Sequence, residues 1–223
     1  MKKWIFLTML SGLVWLSCGD DSDINMVSTP TQEKPINAVH NTAIYDLQIP
    51  NWLPKMVIPN DNVPSIAGVA LGKHLFYDPI FSKDSTLSCA SCHLQELGFA
   101  DPRRFSLGVN QIPGSRNAMS LVNVGFYTNG LFWDGRSKTL EAQALIPIED
   151  HLEMNETWDN VIKKLRRHPQ YQKMFREAFG IMYPSEITKE LSVKAIAQFE
   201  RTLVSGFSKF DRIVFQNDLD AGF

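Results

Sequence analysis

The pentapeptide at residues 89–93 contains two cysteines and a histidine at a spacing that suits covalent attachment of a porphyrin. Cys89 and Cys92 are three positions apart, and His93 follows directly. On a helical turn, side chains three positions apart point to the same side, so both thiols can form thioethers with the two vinyl groups of one haem. The adjacent imidazole can offer a ring nitrogen to the iron, and this spacing is the recognised attachment site of c-type haem. The sequence therefore predicts one covalent haem c with His93 as an iron ligand.

Three other uses of these cysteines agree less well with the rest of the sequence. A zinc site would need two further ligands, but the chain has no other cysteine pair and no close histidine pair. A thioredoxin-like redox centre would require a βαβ setting, which the loop-rich flanking sequence does not provide. A structural disulfide would leave His93 without a role. Haem attachment is the interpretation that uses all three residues.

The first 17 residues have the pattern of an export signal. Lys2 and Lys3 precede an apolar stretch from Trp4 to Leu16, which is too short to span a bilayer comfortably. Cys18 follows this stretch and precedes an acidic segment, and the arrangement resembles a bacterial lipoprotein signal. The resemblance implies cleavage before Cys18 and acylation of its thiol, which would hold the protein at a membrane surface. We therefore expect an exported protein in the periplasm or at the outer membrane, attached to the membrane only through its lipid.

Length and charge limit the number of domains and the kinds of binding partner that the protein can have. The chain has 223 residues, enough for one haem-sized domain with extensions or for two small domains. Its formal net charge of −2 argues against a nucleic-acid partner, because such proteins usually carry a basic face. An exported chain would tend to oxidise a stray thiol pair, so Cys89 and Cys92 need a purpose, and haem attachment supplies one.

Segments of distinct composition divide the chain before and within the predicted domain. Residues 18–42 are polar with little apolar periodicity and are interpreted as a flexible tether. Residues 43–63 contain three prolines and lead into a fourth, which favours an extended lead-in to a domain that spans residues 43–223. Residues 98–132 are rich in Gly, Pro, Asn and Ser, so they are predicted to be loops, and long loops in a domain are commonly functional or packed on a cofactor.

Helical patterns occupy much of the remaining sequence, and no strand alternation is present. The first helix is predicted from about Ser65 to Phe76. Four apolar residues that recur with the spacing i, i+3, i+4 and i+7 predict a second helix: Trp158, Val161, Ile162 and Leu165. Pro169 can open a third helix, with apolar residues facing inwards at Tyr171, Met174, Phe175 and Phe179. Ser192 is the predicted N-cap of a fourth, which carries Val193, Ile196, Phe199 and Leu203 and is closed by Gly206.

The residues around the haem motif resemble those of a specific family, the bacterial di-haem cytochrome c peroxidases and their methylamine-utilisation relatives. The segments that carry the resemblance are Leu71–Asp78, Leu87–Ser88, Gly98–Asp101, Gly108, Arg116–Asn117, Asn123, Phe132–Arg136, Leu140–Glu141, Gln143, Pro147, Glu153–Met154, Ala195 and Phe199–Leu203. They cover roughly residues 66–213 and are similar to the N-terminal, peroxide-reducing half of that family. The resemblance implies a mainly α, cytochrome c-like haem domain with long loops and a C-terminal helical extension.

The resemblance also implies roles for four residues outside the attachment motif. Glu153 corresponds to the acid–base carboxylate on the open side of the iron, and Gln143 to its polar neighbour. Trp133 corresponds to an aromatic residue between two haems, and Asn117 to a position that helps to hold a calcium ion. Spacing alone permits simpler roles: Glu153 as a solvated acid before a helix that starts near Asn155, Gln143 on a helix surface and Trp133 in core packing.

The sequence departs from the family pattern at two places. Many members carry a histidine shortly after the Ser-x-Gly that stands here at Ser106–Gly108, and it occupies the distal iron site at rest. This chain has Val109 and Asn110 there, so we expect an iron that no distal histidine blocks. The second Cys-x-x-Cys-His of the family's C-terminal domain is absent, which suggests a fragment of a longer gene product, a separate chain carrying the second haem, or a single-haem variant.

The leading expectation is a haem c peroxidase that reduces hydrogen peroxide to water with electrons from a small cytochrome or a similar donor. A histidine ligand with an open distal side suits peroxide chemistry, whereas Met/His ligation suits electron transfer alone. The alternatives are a c-type haem electron-transfer protein and an inactive, truncated haem-binding half. Oxidation of another substrate, as in the methylamine-utilisation relatives, also stays open.

Overall fold

Six α-helices and several short 3₁₀ turns build the part of the chain that the computed structural model describes, residues 33–218 and 220. The helices are α1 (Ile66–Tyr77), α2 (Leu140–Glu149), α3 (Trp158–Arg167), α4 (Pro169–Phe179), α5 (Lys189–Glu200) and α6 (Lys209–Gln216). In these residues the only β pairing is a set of isolated bridges. The predicted mainly α class is confirmed.

Helix α1 begins where the sequence predicts, because Ser65 is its N-cap. The Ser65 hydroxyl accepts a hydrogen bond from the Gly68 amide at 3.0 Å. Leu71, Leu75 and Phe76 are fully buried along one side of the helix. Gly72 lies directly on α5, and a Cβ atom there would overlap the carbonyl oxygen of Ala195. The glycine therefore sets the close approach of α1 and α5.

Helices α3 and α4 form as predicted and pack their periodic residues inwards. Trp158, Val161 and Leu165 are buried in α3, and Pro169 is the first residue of α4. Gly180 ends α4 in the left-handed conformation at φ 72°, which glycine adopts without strain. The apolar faces of both helices join one cluster with residues of α1 and α5.

The predicted ends of α5 are wrong at both termini. Its N-cap is Thr188, whose hydroxyl accepts from the Leu191 amide at 3.3 Å, and not Ser192. Ser192 lies inside the helix, where its hydroxyl donates to the Thr188 carbonyl oxygen at 2.9 Å. The helix ends at Glu200, and Gly206 instead accepts a hydrogen bond from the indole of Trp52. Serine can satisfy its hydroxyl within a helix, so its presence alone does not fix a helix start.

Helix α2 was not predicted. It is capped by Thr139, whose hydroxyl accepts from the Ala142 amide at 3.1 Å. Pro147 lies in the last turn, where its missing N–H and its ring weaken the helical pattern of the sequence. The chain turns directly after α2, and this turn carries Glu153.

The remaining described segments are irregular, as predicted for residues 43–63 and for most of residues 98–132. Residues 36–41 hydrogen-bond along α4 and the loop after it: the Asn41 amide donates to Glu177, and the Ile36 amide donates to Met182. The leader at residues 1–17 and the tether up to residue 32 lie outside the described residues. Within the described part, no helix has both the length and the apolar character needed to cross a membrane.

Candidate active site

One cavity of about 360 Å³ collects the residues that the sequence singles out. Its volume falls within the range of roughly 300–1,000 Å³ that is common for small-molecule and cofactor sites. Helices α1, α2 and α5 contribute to its wall together with the loops at 87–93, 106–119, 132–136 and 150–154. The predicted site residues that line it are Cys89, Cys92, His93, Asn117, Trp133, Gln143 and Glu153.

The two attachment cysteines bound a 3₁₀ turn at the cavity wall: Cys89 is its first residue and Cys92 is its C-cap. The turn spans Cys89–Ser91, and the side chains of Ser88 and Ser91 cap it reciprocally. Both thiols are free, and burial raises the pKa of each, so they are held as neutral thiols. Cys89 packs against both apolar clusters of the protein, and this contact fixes the turn relative to the helices.

The His93 imidazole is oriented by its backbone surroundings. Its Nδ1 lies 2.9 Å from the Phe99 carbonyl oxygen, so Nδ1 carries the proton and donates it there. Burial lowers the pKa of His93, which keeps the ring neutral. The lone pair of Nε2 is therefore free to bind a metal, and a hydrogen bond from the other ring nitrogen is the usual support of a histidine ligand.

Glu153 lies on a tight turn between α2 and α3 and not on a solvated surface. The Asp150 carboxylate accepts from the Leu152 amide at 2.8 Å, and the Glu153 carbonyl oxygen accepts from the Val109 amide at 2.8 Å. Gly108 makes this contact possible, because a Cβ atom there would overlap the Leu152 and Glu153 carbonyl oxygens. Glu153 is half-buried and lines the cavity, which favours the role in the site over that of a solvated acid.

Burial raises the pKa of the Glu153 carboxyl to about 6, with a further contribution from the nearby charge of Asp150. Arg136 acts in the opposite direction and lowers this pKa. A carboxyl group with a pKa near the working pH can both accept and return a proton. Gln143, on α2, lines the same cavity and provides a second polar side chain.

Histidine is represented in the described lining of the cavity by His93 alone. Gly108 and Leu107 line the wall where many relatives would place a distal histidine, and Val109 is buried beside them. His74 instead contacts Gln170 and Tyr171 outside the cavity. The expectation that no distal histidine occupies the iron site stays a prediction, which the placement of these residues supports.

Trp133 lies at the mouth of the cavity and is 66% exposed, so it is not a core residue. Its indole N–H donates to the Asn117 carbonyl oxygen at 2.8 Å. Asp134, beside it, pairs with Arg116 at 2.7 Å and with Arg136 at 3.0 Å, and these partners lower its pKa to about 2. These contacts hold an aromatic ring between the cavity and the solvent.

Asn117 fastens two loops together. Its amide nitrogen donates to the carbonyl oxygens of Asp101 and Arg103 at 2.8 Å and 2.6 Å. Calcium takes six to eight oxygen ligands, and the side chain has one carbonyl oxygen to offer. The described residues contain no cluster of three or more His, Cys, Asp or Glu side chains that could hold a metal ion. Asn117 alone therefore does not make a calcium site, and calcium stays a prediction.

Glu200 is a second glutamate that lines the cavity, and no role is predicted for it from the sequence. It is the last residue of α5, is 4% exposed and lines the cavity with an oxygen that has no hydrogen-bond partner among the described residues. One signal could have revealed it: Glu200 follows Val193 and Ile196 by seven and four positions, so it extends the buried stripe of the helix.

The donor set of the cavity fits a covalently bound haem. Two neutral thiols and a neutral imidazole with one free nitrogen lie within residues 89–93, and the Glu200 oxygen that has no partner among the described residues is what a cavity for another group would show. Unsatisfied buried polar atoms are rare in native proteins and usually indicate a missing water, ion or ligand.

Comparison with known proteins identifies relatives of this chain. Residues 66–219 match the sequence model of the family described as di-haem cytochrome c peroxidase. The methylamine utilization protein MauG of Methylorubrum extorquens is 41% identical over 154 residues, which are 69% of this chain and 43% of that protein. The cytochrome c peroxidase Ccp of Escherichia coli is 40% identical over 160 residues, which are 71% of this chain and 33% of that protein.

A solved structure agrees with the fold. The crystal structure of a MauG-like protein associated with microbial copper homeostasis superposes with a TM-score of 0.71 at 32% sequence identity. The match covers 78% of this chain and 51% of that one. The chain thus spans about half the length of that structure and less than half the length of the two relatives.

Proposed function

This chain belongs to the di-haem cytochrome c peroxidase family, and from that premise we propose that it binds one haem c and takes part in the reduction of hydrogen peroxide to water. One observation supports the proposal above the others. The half-buried Glu153 carboxyl lines the same cavity as the free thiols of Cys89 and Cys92 and the neutral imidazole of His93. The cavity therefore combines the residues for attaching a haem with a group that can move protons.

Haem attached to Cys89 and Cys92 would supply the redox-active iron at which peroxide takes up electrons, with His93 as its protein ligand. Glu153 has the part of proton carrier. Hydrogen peroxide must lose a proton from one oxygen and gain a proton on the other before the O–O bond breaks, and an ionised Glu153 can make both transfers. Its burial is what gives the carboxyl a pKa of about 6 and so lets it cycle between the two forms.

Gln143 and Trp133 support this chemistry from the cavity wall. Gln143 has both a donor and an acceptor in its amide group, so it can orient peroxide or water beside Glu153. The exposed ring of Trp133 lies between the cavity and the solvent, where an electron donor would approach. Each peroxide requires two electrons, which we propose come from a small cytochrome, either directly or through a second haem on a separate chain.

The test is peroxide turnover by the haem-loaded full chain with a reduced small cytochrome, for the wild type and for Glu153→Gln. We expect the substitution to lower kcat by about 10²- to 10⁴-fold, the usual contribution of a positioned proton carrier. Glu149→Gln is the matched control, because Glu149 is an exposed glutamate at the end of α2. Undiminished turnover in Glu153→Gln would remove Glu153 from the mechanism.

Electron transfer without catalysis is the second candidate function, because the cavity contains two methionines that could serve as iron ligands. Met119 and Met154 both line the cavity, and a methionine sulfur on the iron would give the ligation of an electron carrier. Met154 also packs in the large apolar cluster with Trp158 and Phe81, which favours a packing role. Normal haem loading without turnover, together with the charge-transfer absorption of a methionine–iron bond, would support the carrier.

A further inference from the structure

Glu200 is a buried acid that the proposed proton transfer does not use. Its side chain lines the haem cavity at the C-terminal end of α5, close enough to Cys89 that its charge would raise the pKa of that thiol. The oxygen Oε2 has no hydrogen-bond partner among the described residues. Burying an ionised carboxylate without a hydrogen-bond partner costs free energy of folding. The Glu200 carboxyl is therefore held neutral, or it is stabilised by a group bound in the cavity.

The neighbouring charges do not neutralise Glu200. Arg201 follows it in the chain, but its guanidinium donates to Glu141 on α2 at 2.8 Å. Glu141 is held there by a second donor, Asn62, so the arginine and this glutamate form a separate pair. Of the two, Arg201 lowers the pKa of Glu200 and Glu141 raises it.

Several other groups line the cavity with Glu200. Helix α1 contributes the apolar ring of Phe76, and the 3₁₀ turn contributes Cys89, which does not titrate once it is a thioether. The titratable and charged groups of the lining are Cys92, His93, Arg116, Asp134, Arg136, Asp150 and Glu153. None of these shifts the pKa of Glu200, which responds only to the charges of Arg201 and Glu141, so the iron of a bound haem would be the charge that changes beside it.

We propose that Glu200 binds a proton when the haem iron is reduced and releases it when the iron is oxidised. When the iron of a bound haem gained one electron from the donor, the Glu200 carboxylate would gain one proton from the solvent and become a carboxylic acid. This inference rests on the haem-binding part of the proposed function and does not require peroxide turnover.

Electrostatics gives the direction of this coupling. Ferric haem has one more positive charge than ferrous haem, and a positive charge inside a low-dielectric cavity favours the ionised carboxylate. Reduction removes that charge, so the carboxyl then holds its proton more tightly. Burial already raises the pKa of Glu200 to about 8, and the ferric iron would lower it from there. The coupling is therefore expected in the neutral range, up to about pH 8.

The experiment is a spectroelectrochemical titration of the haem-loaded full chain at a series of pH values. In the wild type we expect the midpoint potential to fall with rising pH in the neutral range, towards the limit of about 59 mV per unit for one proton per electron. Glu200→Gln keeps the shape of the side chain but cannot ionise, so its potential should be flat in that range. Glu149→Gln is the matched control, because it removes an exposed carboxylate at the end of α2 outside the cavity, and it should retain the neutral slope.

Two results would overturn the inference: a flat wild-type potential in the neutral range, or the same slope in Glu200→Gln as in the wild type. The titration contains no peroxide, so an inactive protein with an intact slope would contradict only the peroxidase proposal. If Glu200→Gln does not load haem, infrared redox difference spectra of the wild type decide. A protonated carboxyl band that appears on reduction and shifts after ¹³C-glutamate labelling supports the inference, and its absence rejects it.

Discussion

Two glutamates line the same cavity, and their surroundings give their carboxyl groups different proton affinities. Glu153 is partly buried on a turn, with Asp150 and Arg136 acting on it in opposite directions, and its pKa is raised to about 6. Glu200 is almost fully buried, and one of its oxygens has no hydrogen-bond partner in the described part of the chain; its pKa is raised to about 8. The different pKa values suit the two proposed roles: Glu153 would transfer protons to peroxide, and Glu200 would take up a proton when the iron is reduced.

The first prediction concerns the pH dependence of peroxide turnover. Glu153 must be ionised to accept a proton, so kcat/KM should rise with pH through about 6 and fall as the pH drops below it. The measurement is kcat/KM of the haem-loaded protein across this range. Glu149→Gln should keep the acidic limb, whereas the residual activity of Glu153→Gln should lack it. The same limb in both variants would show that another group titrates.

The second prediction concerns the oxidised iron. His93 is the only histidine in the described lining of the cavity, so the ferric protein should show a high-spin spectrum with an open distal position. Absorption and electron paramagnetic resonance spectra measure this directly. Added imidazole should convert the spectrum to low-spin, which is the control that the position is accessible. A low-spin bis-histidine spectrum of the untreated protein would contradict the prediction.

At the scale of elements, the pair α1 and α5 is the frame on which the cavity is built. Phe76 of α1 and Ile196 and Glu200 of α5 all line the cavity, so the spacing of these helices sets the position of its wall. Gly72 permits the close approach, because its missing side chain leaves room for the backbone of Ala195. A substitution at this contact would therefore alter the cavity by moving α1 or α5, although neither Gly72 nor Ala195 lines the cavity.

The third prediction is that Gly72→Ala destabilises the protein. The added methyl group meets the Ala195 carbonyl oxygen, and overpacking of this kind costs about 1–3 kcal/mol of unfolding free energy. Chemical denaturation of the haem-loaded protein measures the loss. Gly114→Ala is the control, since a Cβ atom there has only ordinary contacts, the nearest at 3.5 Å. Equal stability of the two variants would mean that α1 and α5 can move apart freely.

The elements that the sequence predicted are those with strong local signals. Ser65 and the periodic residues of α3 have capping or spacing patterns that act within one or two turns, so α1 and α3 were found. Pro147 interrupts the pattern of α2, and the helix persists because its buried residues pack in the core. The start of α5 was wrong because two hydroxyl residues compete as caps and the sequence does not show which one is satisfied inside the helix.

The residues of the cavity also differ in whether local sequence or tertiary packing determines their position. The Cys89–His93 motif is contiguous, so its chemistry could be predicted from spacing alone. The position of Glu153 depends on a contact with Gly108, 45 positions earlier in the chain, and only the family resemblance pointed to it. The burial and missing partner of Glu200 come from the packing of three helices and a turn, which local sequence does not encode.

At the scale of the whole molecule, the cavity lies where the two apolar clusters meet. Cys89 packs against both clusters, so the attachment turn is anchored from two sides. The relatives extend well beyond the region that this chain matches, since the alignments cover 43% and 33% of their lengths. Trp133 is exposed at the cavity mouth, on the side from which the electron donor of the proposed function would approach.

The last prediction concerns how the whole protein is held in the cell, and it rests on the first 18 residues of the sequence. Lys2 and Lys3, the apolar stretch and Cys18 together predict a lipidated cysteine. Acyl chains on Cys18 would bind the membrane firmly, because each buried methylene contributes about 0.8 kcal/mol and a lipoprotein cysteine would carry two or more chains. Fractionation of cells that export the full chain should place the wild type with the membranes and Cys18→Ser in another fraction.

Mass spectrometry of the wild type should find acyl groups on a protein that begins at Cys18. Ser22→Ala is the matched control, since it changes a small polar residue of the same acidic segment without removing a thiol, and it should stay with the membranes. Haem should attach in all three proteins if they reach the same compartment, because Cys89 and Cys92 are untouched. A wild type that fractionates without membranes, or a Cys18→Ser protein that stays with them, would show that Cys18 is not the anchor.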